Sequence, residues 1–411
     1  MSASVSGEDA DPYELPDTLQ LGPPQDPYPH VAEARRRNAV QTQWPLPMDA
    51  TLSTPNDQPS YCILGYDEVS AVFRDSETYS SARIAESIGP LLANTIVAMD
   101  GSEHRVHRAL IAGAFRPKLL TKWEYDLVGP LVHELIDSFV ADGEADLIRR
   151  LTFALPVRVI AGILGLPQRD ATKFQRWSIE MISMSLNWER GMAAFEALRD
   201  YFAEQVERRR QDPQDDVITA LVESEVEGQR LTDEQIFAFL RLLLPAGIET
   251  TYRSLGNLLF ALLTHPDQLD AVLKDPTLIP AAVEEGLRWA PPIFITGRAC
   301  TRASTLGGVH IPADAVLNVF IGAANRDERV FPNPDVFDVH RNPTSQLAFA
   351  VGPHACLGMH LARMENRMAL SAILERLGDM RLDPAAPPPK IVGMPLRSPP
   401  SLRVRFAPVT P

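Results

Sequence analysis

Apolar residues recur at three- and four-residue intervals through most of the middle of this chain, which is the periodicity of amphipathic helices. The pattern predicts helices over residues 123–141, 193–210, 233–264, 280–289 and 358–377. Short stretches of β-favouring residues predict strands at 61–64, 308–311, 316–320 and 402–406. Because these strands do not alternate with helices, we expect a mainly helical fold with small sheets, not a doubly wound parallel sheet.

The same pattern gives no reason to divide the chain into several domains. Residues 1–21 are acidic, contain proline and have no apolar core, so we expect a disordered tail there. After about residue 26 there is no glycine- and serine-rich linker, no run of like charges and no fixed-period repeat. The sequence therefore predicts a single domain over residues 22–411.

Composition excludes several classes of function. The 411 residues include 39 basic and 53 acidic side chains, and the formal net charge of -14 disfavours non-specific binding to nucleic acid. The 3 cysteines are too few for a disulfide framework and favour a reducing cytoplasm. No apolar run reaches the length of about 18 residues typical of a membrane span, and the N-terminus does not resemble a signal peptide, so we expect no membrane anchor.

The longest predicted helix has an unusual centre. Thr232 followed by Gln235 fits a capping box, so the helix begins there, and no strong stop signal precedes His265. Residues 233–264 would extend roughly 48 Å at about 1.5 Å per residue. Pro245 cannot donate a hydrogen bond to the preceding turn, so we expect a distortion in the middle of the helix.

Just after this proline the helix carries a carboxylate and a hydroxyl, Glu249 and Thr250. One interpretation is a kinked core helix in which Glu249 pairs with an arginine. The other is a widened groove, in which the small Ala246 and Gly247 admit a flat ligand while the acid and the hydroxyl carry protons. We favour the groove, because burying a carboxylate is costly unless it has a partner or a function. The Thr250 hydroxyl can also bond back to the carbonyl of Ala246.

Cys356 lies between Gly352 and Gly358, immediately before a predicted helix. Glycines permit a tight loop whose N–H groups point at the sulfur, and a helix N-terminus favours a thiolate. The alternative is a buried, unreactive thiol, but the glycines, the nearby His354 and the helix favour a ligand. Zinc is disfavoured, because no second cysteine lies at a zinc-ligand spacing. The other two cysteines, in predicted strand segments, are interpreted as core residues: Cys62 and Cys300.

These stretches together resemble the cytochrome P-450 haem-thiolate monooxygenases of the soluble bacterial type, over nearly the whole chain. FAVGPHACLG at 349–358 matches the family's haem-binding loop, which implies that Cys356 is the axial ligand of the haem iron. AGIETT at 246–251 matches its oxygen-binding helix, and Glu285 with Arg288 matches the ion pair that holds the core around the haem loop. The implied fold holds haem b between the long central helix and the cysteine loop.

The resemblance also implies which residues bind the haem. The haem carries two carboxylates, and buried cations are needed to neutralise them. The implied cations lie in a helical HxxxR pattern, past a proline pair and in the cysteine loop: His104, Arg108, Arg298 and His354. Three small residues are expected to lie against the haem: Ala246, Gly247 and Gly358.

Three positions depart from the family pattern. An arginine commonly stands where this chain has Val336, so the third partner of Glu285 and Arg288 is open, with His340 and Arg341 as candidates. The acid before Thr250 is glutamate, not aspartate. In the haem loop, Ala follows Phe349 where a glycine is frequent.

The resemblance implies an enzyme that activates dioxygen with two electrons from a separate partner. One oxygen atom enters the substrate by hydroxylation, O-demethylation or epoxidation, with Glu249 and Thr250 as the proton relay. The chain has no dinucleotide fingerprint and no four-cysteine cluster, so the electrons must come from a ferredoxin or flavodoxin with its NAD(P)H-dependent reductase. We expect this partner to dock near Arg105 and Arg363 on an otherwise acidic protein.

By the same analogy, the substrate is a hydrophobic small molecule, and four apolar residues are expected to line its pocket: Leu243, Phe294, Ile295 and Met394. Two other functions fit these residues less well. A haem-binding sensor or carrier would not need the Glu249–Thr250 pair, and peroxide-driven haem enzymes usually lack it.

Overall fold

The computed structural model describes residues 26–47, 58–82, 94–182 and 187–409. The predicted tail, residues 1–21, lies outside the described residues. Within them the α-helices are α1 (Tyr28–Arg37), α2 (Tyr66–Arg74), α3 (Gly101–Ala112), α4 (Pro117–Trp123), α5 (Gly129–Asp137), α6 (Ala154–Ile163), α7 (Ala171–Ile182), α8 (Trp188–Gln211), α9 (Val217–Glu223), α10 (Asp233–Leu243), α11 (Thr250–Thr264), α12 (Pro266–Lys274), α13 (Ile279–Trp289), α14 (Ile321–Ala324) and α15 (Met359–Arg376).

The strands are short and form small sheets, as the sequence predicts. They are β1 (Val40–Gln41), β2 (Ser60–Ile63), β3 (Tyr79–Ser80), β4 (Glu144–Asp146), β5 (Thr296–Cys300), β6 (Ser304–Leu306), β7 (Val309–Ile311), β8 (Val316–Val319), β9 (Arg381–Leu382) and β10 (Arg403–Arg405). One sheet has the order β1-β2-β8-β5-β3, another β4-β10-β9, and β6 pairs with β7. Strands β2 and β8 are parallel and the other pairs are antiparallel.

In the described ranges three π-helical segments interrupt the helices, and each lies close to a proline. They are Glu124–Val128, Ile148–Thr152 and Leu244–Glu249, near Pro130, Pro156 and Pro245 respectively. Proline has no N–H to donate to the carbonyl four residues earlier, so the α-helical pattern is broken locally. The predicted helix 123–141 is therefore divided between α4, a π-helical segment and α5.

The main core surrounds α10 and α11, the two halves of the long central helix. Apolar residues of both helices belong to the largest buried cluster, and the capping box of Thr232 and Gln235 begins α10 as predicted. A second cluster lies behind the five-stranded sheet. Cys62 and Cys300 are buried strand residues, which confirms their interpretation as core residues. Within the described part of the chain, no helix is both long and apolar enough to cross a bilayer.

A buried ion cluster joins α13 to the long loop before the cysteine. Arg288 donates two hydrogen bonds to Glu285, from Nε and Nη2, each at 2.7 Å. Arg341 is the third partner, with Nε 3.2 Å from Glu285 Oε1. Val336, where the family has an arginine, is 55% exposed, and its carbonyl accepts from Arg288 Nη2. Arg341, and not the exposed His340, is thus the third member of the cluster with Glu285 and Arg288.

This choice predicts a difference between two neighbouring substitutions. Arg341→Met removes a charged donor to a buried carboxylate and to several loop carbonyls, so we expect a loss of about 2 kcal/mol in the free energy of unfolding. His340→Ala is the matched control and should change it by less than about 0.5 kcal/mol. Urea unfolding followed by circular dichroism measures both. Equal effects at the two positions would contradict the assignment of Arg341.

Candidate active site

A cavity separates the middle of the long helix from the cysteine loop. Leu243, Ala246 and Thr250 line it from the helix side, and Cys356 lines it from the loop. Gly247 also faces it, and a Cβ on this residue would come within 2.9 Å of the Cδ1 atom of Ile160. The groove predicted beside the two small residues is therefore present.

The break at Pro245 positions Thr250. The π-helical segment Leu244–Glu249 links α10 to α11, so the predicted distortion falls at the expected proline. The Thr250 hydroxyl donates to the carbonyl of Ala246 at 2.6 Å, as predicted from the spacing. Thr250 and Thr251 both line the cavity, which places two hydroxyls on its wall.

Glu249 has a different environment from the threonine that follows it. It is buried and lies outside the cavity lining, and its Oε1 accepts from Arg253 Nη2 at 2.9 Å. Arg253 Nη1 also donates to Ser398 Oγ at 3.0 Å. The structure thus combines both interpretations of the long helix: Glu249 pairs with an arginine, Arg253, and the groove beside Ala246 and Gly247 is also present. Glu249 can pass protons to a group bound in the cavity only in two ways. Its carboxylate either transfers them through the Thr250 hydroxyl, or it breaks the contact with Arg253 and turns toward the cavity.

Cys356 is presented to the cavity just before α15. Its N–H donates to the carbonyl of Phe349 at 2.9 Å, which closes the loop on itself. The cysteine lines the cavity and its side chain is accessible there. Burial of the site raises the pKa of the Cys356 thiol, while the N–H of Gly358 and the charges of Arg108 and Arg363 act to lower it.

The loop needs residues with left-handed backbone conformations. Gly352 has φ +80°, and a Cβ there would lie 2.4 Å from the carbonyl oxygen of Phe73. Ala350, where the family often has glycine, also has a positive φ of 54°. An L-residue in this region is strained. The loop therefore keeps its shape at this position without the usual glycine.

Two histidines and an arginine line the cavity next to the cysteine: His104, Arg108 and His354. His104 is buried, its Nε2 has no hydrogen-bond partner, and its ring lies 4.0 Å from that of His354 between centroids. Burial, aided by the charges of His354 and Arg108, lowers the pKa of His104 to about 4. Burial likewise lowers the pKa of Arg108, and Cys356 partly opposes this.

His354 is also held by an acid. Its Nε2 is 3.1 Å from Oδ1 of Asp100, the residue that precedes α3. Burial opposes ionisation of Asp100, but hydrogen bonds from His354, Ser80 and two backbone N–H groups outweigh burial and lower its pKa to about 2. The contact orients the His354 ring beside the cavity.

Arg298 lies on β5, near the cavity but outside its lining. Its Nη1 donates to the carbonyl of Gly297 at 2.7 Å, and its guanidinium lies over the ring of Phe73. Burial lowers the pKa of Arg298 to about 10, and the charge of Asp100 partly opposes this. Among the described residues it makes no salt bridge, so its charge is not neutralised by a carboxylate at hydrogen-bond distance.

These residues fit haem. The unpartnered Nε2 of His104, the half-buried Arg108 and the buried Arg298 match the needs of a ligand with two carboxylates. Cys356, just before a helix, matches an axial thiolate. A cavity floor made by the cysteine loop and a roof made by Ala246 and Gly247 match a flat ring system. His104, Arg108, Arg298 and His354 would hold the carboxylates, and Cys356 the iron.

One of the four predicted substrate-lining residues faces the cavity. Leu243 does, but the prediction was wrong for Phe294, Ile295 and Met394, which pack in a separate buried cluster near α1. The Phe294 ring packs against Tyr28 and Phe320 with centroids 5.4 and 6.1 Å away. In this extended segment the neighbouring Ile293 and Thr296 line the cavity instead. The sequence places the segment correctly but not the direction of each side chain.

Arg363 is less available to a partner protein than the sequence implies. Its Nε and Nη2 donate to Glu284 at 2.6 and 3.0 Å, and its guanidinium lies over the ring of Phe349. Its charge is therefore neutralised within the protein. Arg105, on α3 one turn before Arg108, is exposed.

Glu365 also lines the cavity and was not predicted from the sequence. It lies on α15, nine residues after Cys356, where an amphipathic pattern gives no sign that a carboxylic acid is buried. Other unpredicted lining residues are apolar and extend the helix face of Leu243: Phe239 and Leu242. The sequence could have predicted both, because Phe239 lies one helical turn before Leu243 and Leu242 lies one turn before Ala246.

Comparisons with known proteins agree with this geometry. The family model described as Cytochrome P-450 matches residues 168–402. Erythromycin C-12 hydroxylase of Saccharopolyspora erythraea is 38% identical over 334 residues, which are 78% of this chain and 83% of that protein. Steroid C26-monooxygenase of Mycolicibacterium smegmatis is 35% identical over 366 residues, 83% and 90% of the two chains.

Solved structures extend the likeness to the fold. CYP109Q5 from Chondromyces apiculatus has a TM-score of 0.85 and 32% identity, covering 96% of this chain and 98% of that one. CYP109E1 from Bacillus megaterium in complex with testosterone has a TM-score of 0.84 and 29% identity, covering 93% and 100%. The chain belongs to the cytochrome P-450 family. It is a monooxygenase of small organic molecules whose cofactor is haem.

Proposed function

We propose that this monooxygenase hydroxylates an apolar small molecule, with Cys356 as haem ligand and with Glu249 and Thr250 as a proton relay. The observation that carries the proposal is that the Thr250 hydroxyl and Cys356 line one cavity from opposite sides. Haem with a thiolate ligand supplies the activation of dioxygen. The residues of this chain bind and orient the reactants and move protons.

Apolar side chains support an apolar substrate. Ile96, Val97, Leu243 and Ile293 line the cavity, with Thr296 as a polar group among them. Relatives include an erythromycin hydroxylase and a steroid monooxygenase, and a related structure holds testosterone. We infer that the substrate is a hydrophobic small molecule and that the reaction is hydroxylation, in preference to O-demethylation or epoxidation.

Two residues are proposed to control protons. The Thr250 hydroxyl bonds to the carbonyl of Ala246 within a π-helical turn, where it can accept a proton and donate another without leaving the cavity wall. Glu249 is held by Arg253 one turn away. In the proposed relay its carboxylate takes up a proton from solvent and passes it to this hydroxyl. Both groups are fixed by their neighbours, as general acid–base groups must be.

Electrons are proposed to come from a separate ferredoxin or flavodoxin with its reductase, in a cytoplasmic setting. The exposed Arg105 is the better candidate for a contact, because Arg363 is already paired with Glu284. Opposite charges on two partners speed their association. An acidic partner would therefore meet α3, the helix whose Arg108 lies near Cys356.

Thr250→Ala tests the relay. The variant should retain haem and substrate binding but divert most electrons to hydrogen peroxide, because the cavity loses the hydroxyl that delivers protons. Peroxide and product per NAD(P)H consumed are the measurements, with a compound chosen by its Soret shift, testosterone first. Thr250→Ser keeps a hydroxyl and should stay coupled. A well-coupled Thr250→Ala enzyme would remove Thr250 from the relay.

Charge reversal tests the partner surface. Arg105→Glu should slow reduction by ferredoxin about tenfold at low ionic strength, with a smaller effect at high salt, because an attractive contact becomes repulsive. Arg169→Glu makes the same change outside α3 and α15 and is the control. Stopped-flow reduction under carbon monoxide gives the rates. Equal rates in both variants would exclude Arg105 from the docking surface.

A further inference from the structure

Asp100 occupies the N-cap position of α3, where an aspartate usually accepts a hydrogen bond from an N–H of the first helical turn. No N–H of α3, a helix that the structure describes in full, donates to its carboxylate. Asp100 is nevertheless ionised at neutral pH, with a pKa of about 2. A helix cap therefore does not explain this residue, and its carboxylate serves other parts of the chain.

The carboxylate of Asp100 joins the end of β3 to the cysteine loop. Oδ2 accepts from the Ser80 hydroxyl at 2.5 Å and from the N–H of Ala82 at 3.2 Å, and Oδ1 accepts from the N–H of Ser81 at 3.4 Å. Oδ1 is also 3.1 Å from Nε2 of His354. Because an ionised carboxylate can only accept, Nε2 of His354 must carry the hydrogen of this bond.

The end of β3 in turn holds one wall of the cavity. The hydroxyl of the buried Ser81 donates to the carbonyl of Val97 at 2.9 Å. Ile96 and Val97 line the cavity and are among the apolar residues that we assign to the substrate. The position of this substrate-side wall, Ile96 and Val97, therefore depends on Asp100 through Ser81.

His354 is the other end of the connection. It lines the cavity beside His104, and it is one of the residues that would hold the haem carboxylates. Burial lowers the pKa of Arg298, which is assigned to the same carboxylates, and the charge of Asp100 opposes this shift. One carboxylate thus lies between the residues assigned to the haem and the wall that meets the substrate.

We propose that Asp100 is a positioning residue that couples substrate binding to haem retention; the proposal rests on the monooxygenase function. A substrate that packs against Ile96 and Val97 holds Ser81 and Asp100 in place, and Asp100 in turn keeps His354 in position for the haem carboxylates. Coupling between two binding sites is reciprocal, so haem held through His354 also favours the wall that the substrate needs. Substrate should therefore slow the loss of haem, and removal of the Asp100 charge should abolish most of this effect.

Transfer of haem from the ferric holoenzyme to apomyoglobin tests the coupling. The measurement is the ratio of the transfer rates without and with a saturating substrate, which is chosen by its Soret shift with testosterone first. The wild type should show a ratio of at least about five. Asp100→Asn, which removes the charge and one acceptor oxygen, should lower the ratio to less than about two. A wild-type ratio near one, or an unchanged ratio in Asp100→Asn, would overturn the proposal.

Two further variants separate the coupling from the stability of the fold. Asp146 also accepts from two backbone N–H groups and a serine hydroxyl, at the end of β4 and outside the cavity lining, so Asp146→Asn is the matched control and should keep the wild-type ratio. Ser81→Ala cuts only the wall end of the connection. It should lower the ratio as Asp100→Asn does but leave the transfer rate without substrate unchanged. A wild-type ratio in Ser81→Ala, or equal losses in Asp146→Asn and Asp100→Asn, would contradict the coupling.

Hydrogen exchange of the holoenzyme tests the wall directly. The N–H groups of Ser81 and Ala82 donate to Asp100, so a peptide that contains them should exchange faster in Asp100→Asn than in the wild type. Saturating substrate should slow this exchange in the wild type and much less in the variant. Equal exchange in both proteins would overturn the role of Asp100 at the wall. The carbon monoxide spectrum of each variant reports the thiolate independently, so a failed coupling with an intact spectrum counts against Asp100 and not against the monooxygenase function.

Discussion

The fully buried pair of Glu285 and Arg288 is the interaction on which the cysteine loop depends. Burying two charges costs free energy, and the cost is offset only when their hydrogen-bonding capacity is filled. Here Arg288 also donates to the carbonyls of Asn325 and Pro334, so one side chain on α13 holds the chain that leads to the loop. The Asn325 side chain continues the connection by accepting from the N–H of Leu347 at 2.7 Å, two residues before Phe349. Cys356 reaches the cavity at the end of this restrained path.

Pro245 determines the shape of the long helix where it lines the cavity opposite Cys356. Pro245 removes one helical hydrogen bond, and the π-helical turn that follows brings Thr250 to the cavity while Glu249 points to Arg253. The result separates two acids by environment. Glu249 is ion-paired beside the cavity, and Glu365 is unpaired within it.

Local patterns predicted the helices, the capping box of Thr232, the break at Pro245 and the loop of Cys356, because these depend on spacing and on backbone chemistry. They did not predict which neighbours meet across the fold. Phe294 and Met394 lie in the right segments but face another cluster, because the segment before β5 has no regular period: Ile293 and Thr296 line the cavity and Phe294 between them does not. The pairing of Arg363 with Glu284 and the burial of Glu365 arise from contacts between distant helices. The choice of Arg341 over His340 was left open for the same reason.

The central claim is that Cys356 provides a thiolate to haem in this cavity. The absorption spectrum of the dithionite-reduced protein, with and without carbon monoxide, tests it most directly. The account predicts a strongly red-shifted Soret band for the wild type, and its replacement in Cys356→His by a band at the position of histidine-ligated haem. A wild-type band at the histidine position, or a purified protein that binds no haem, would contradict the account.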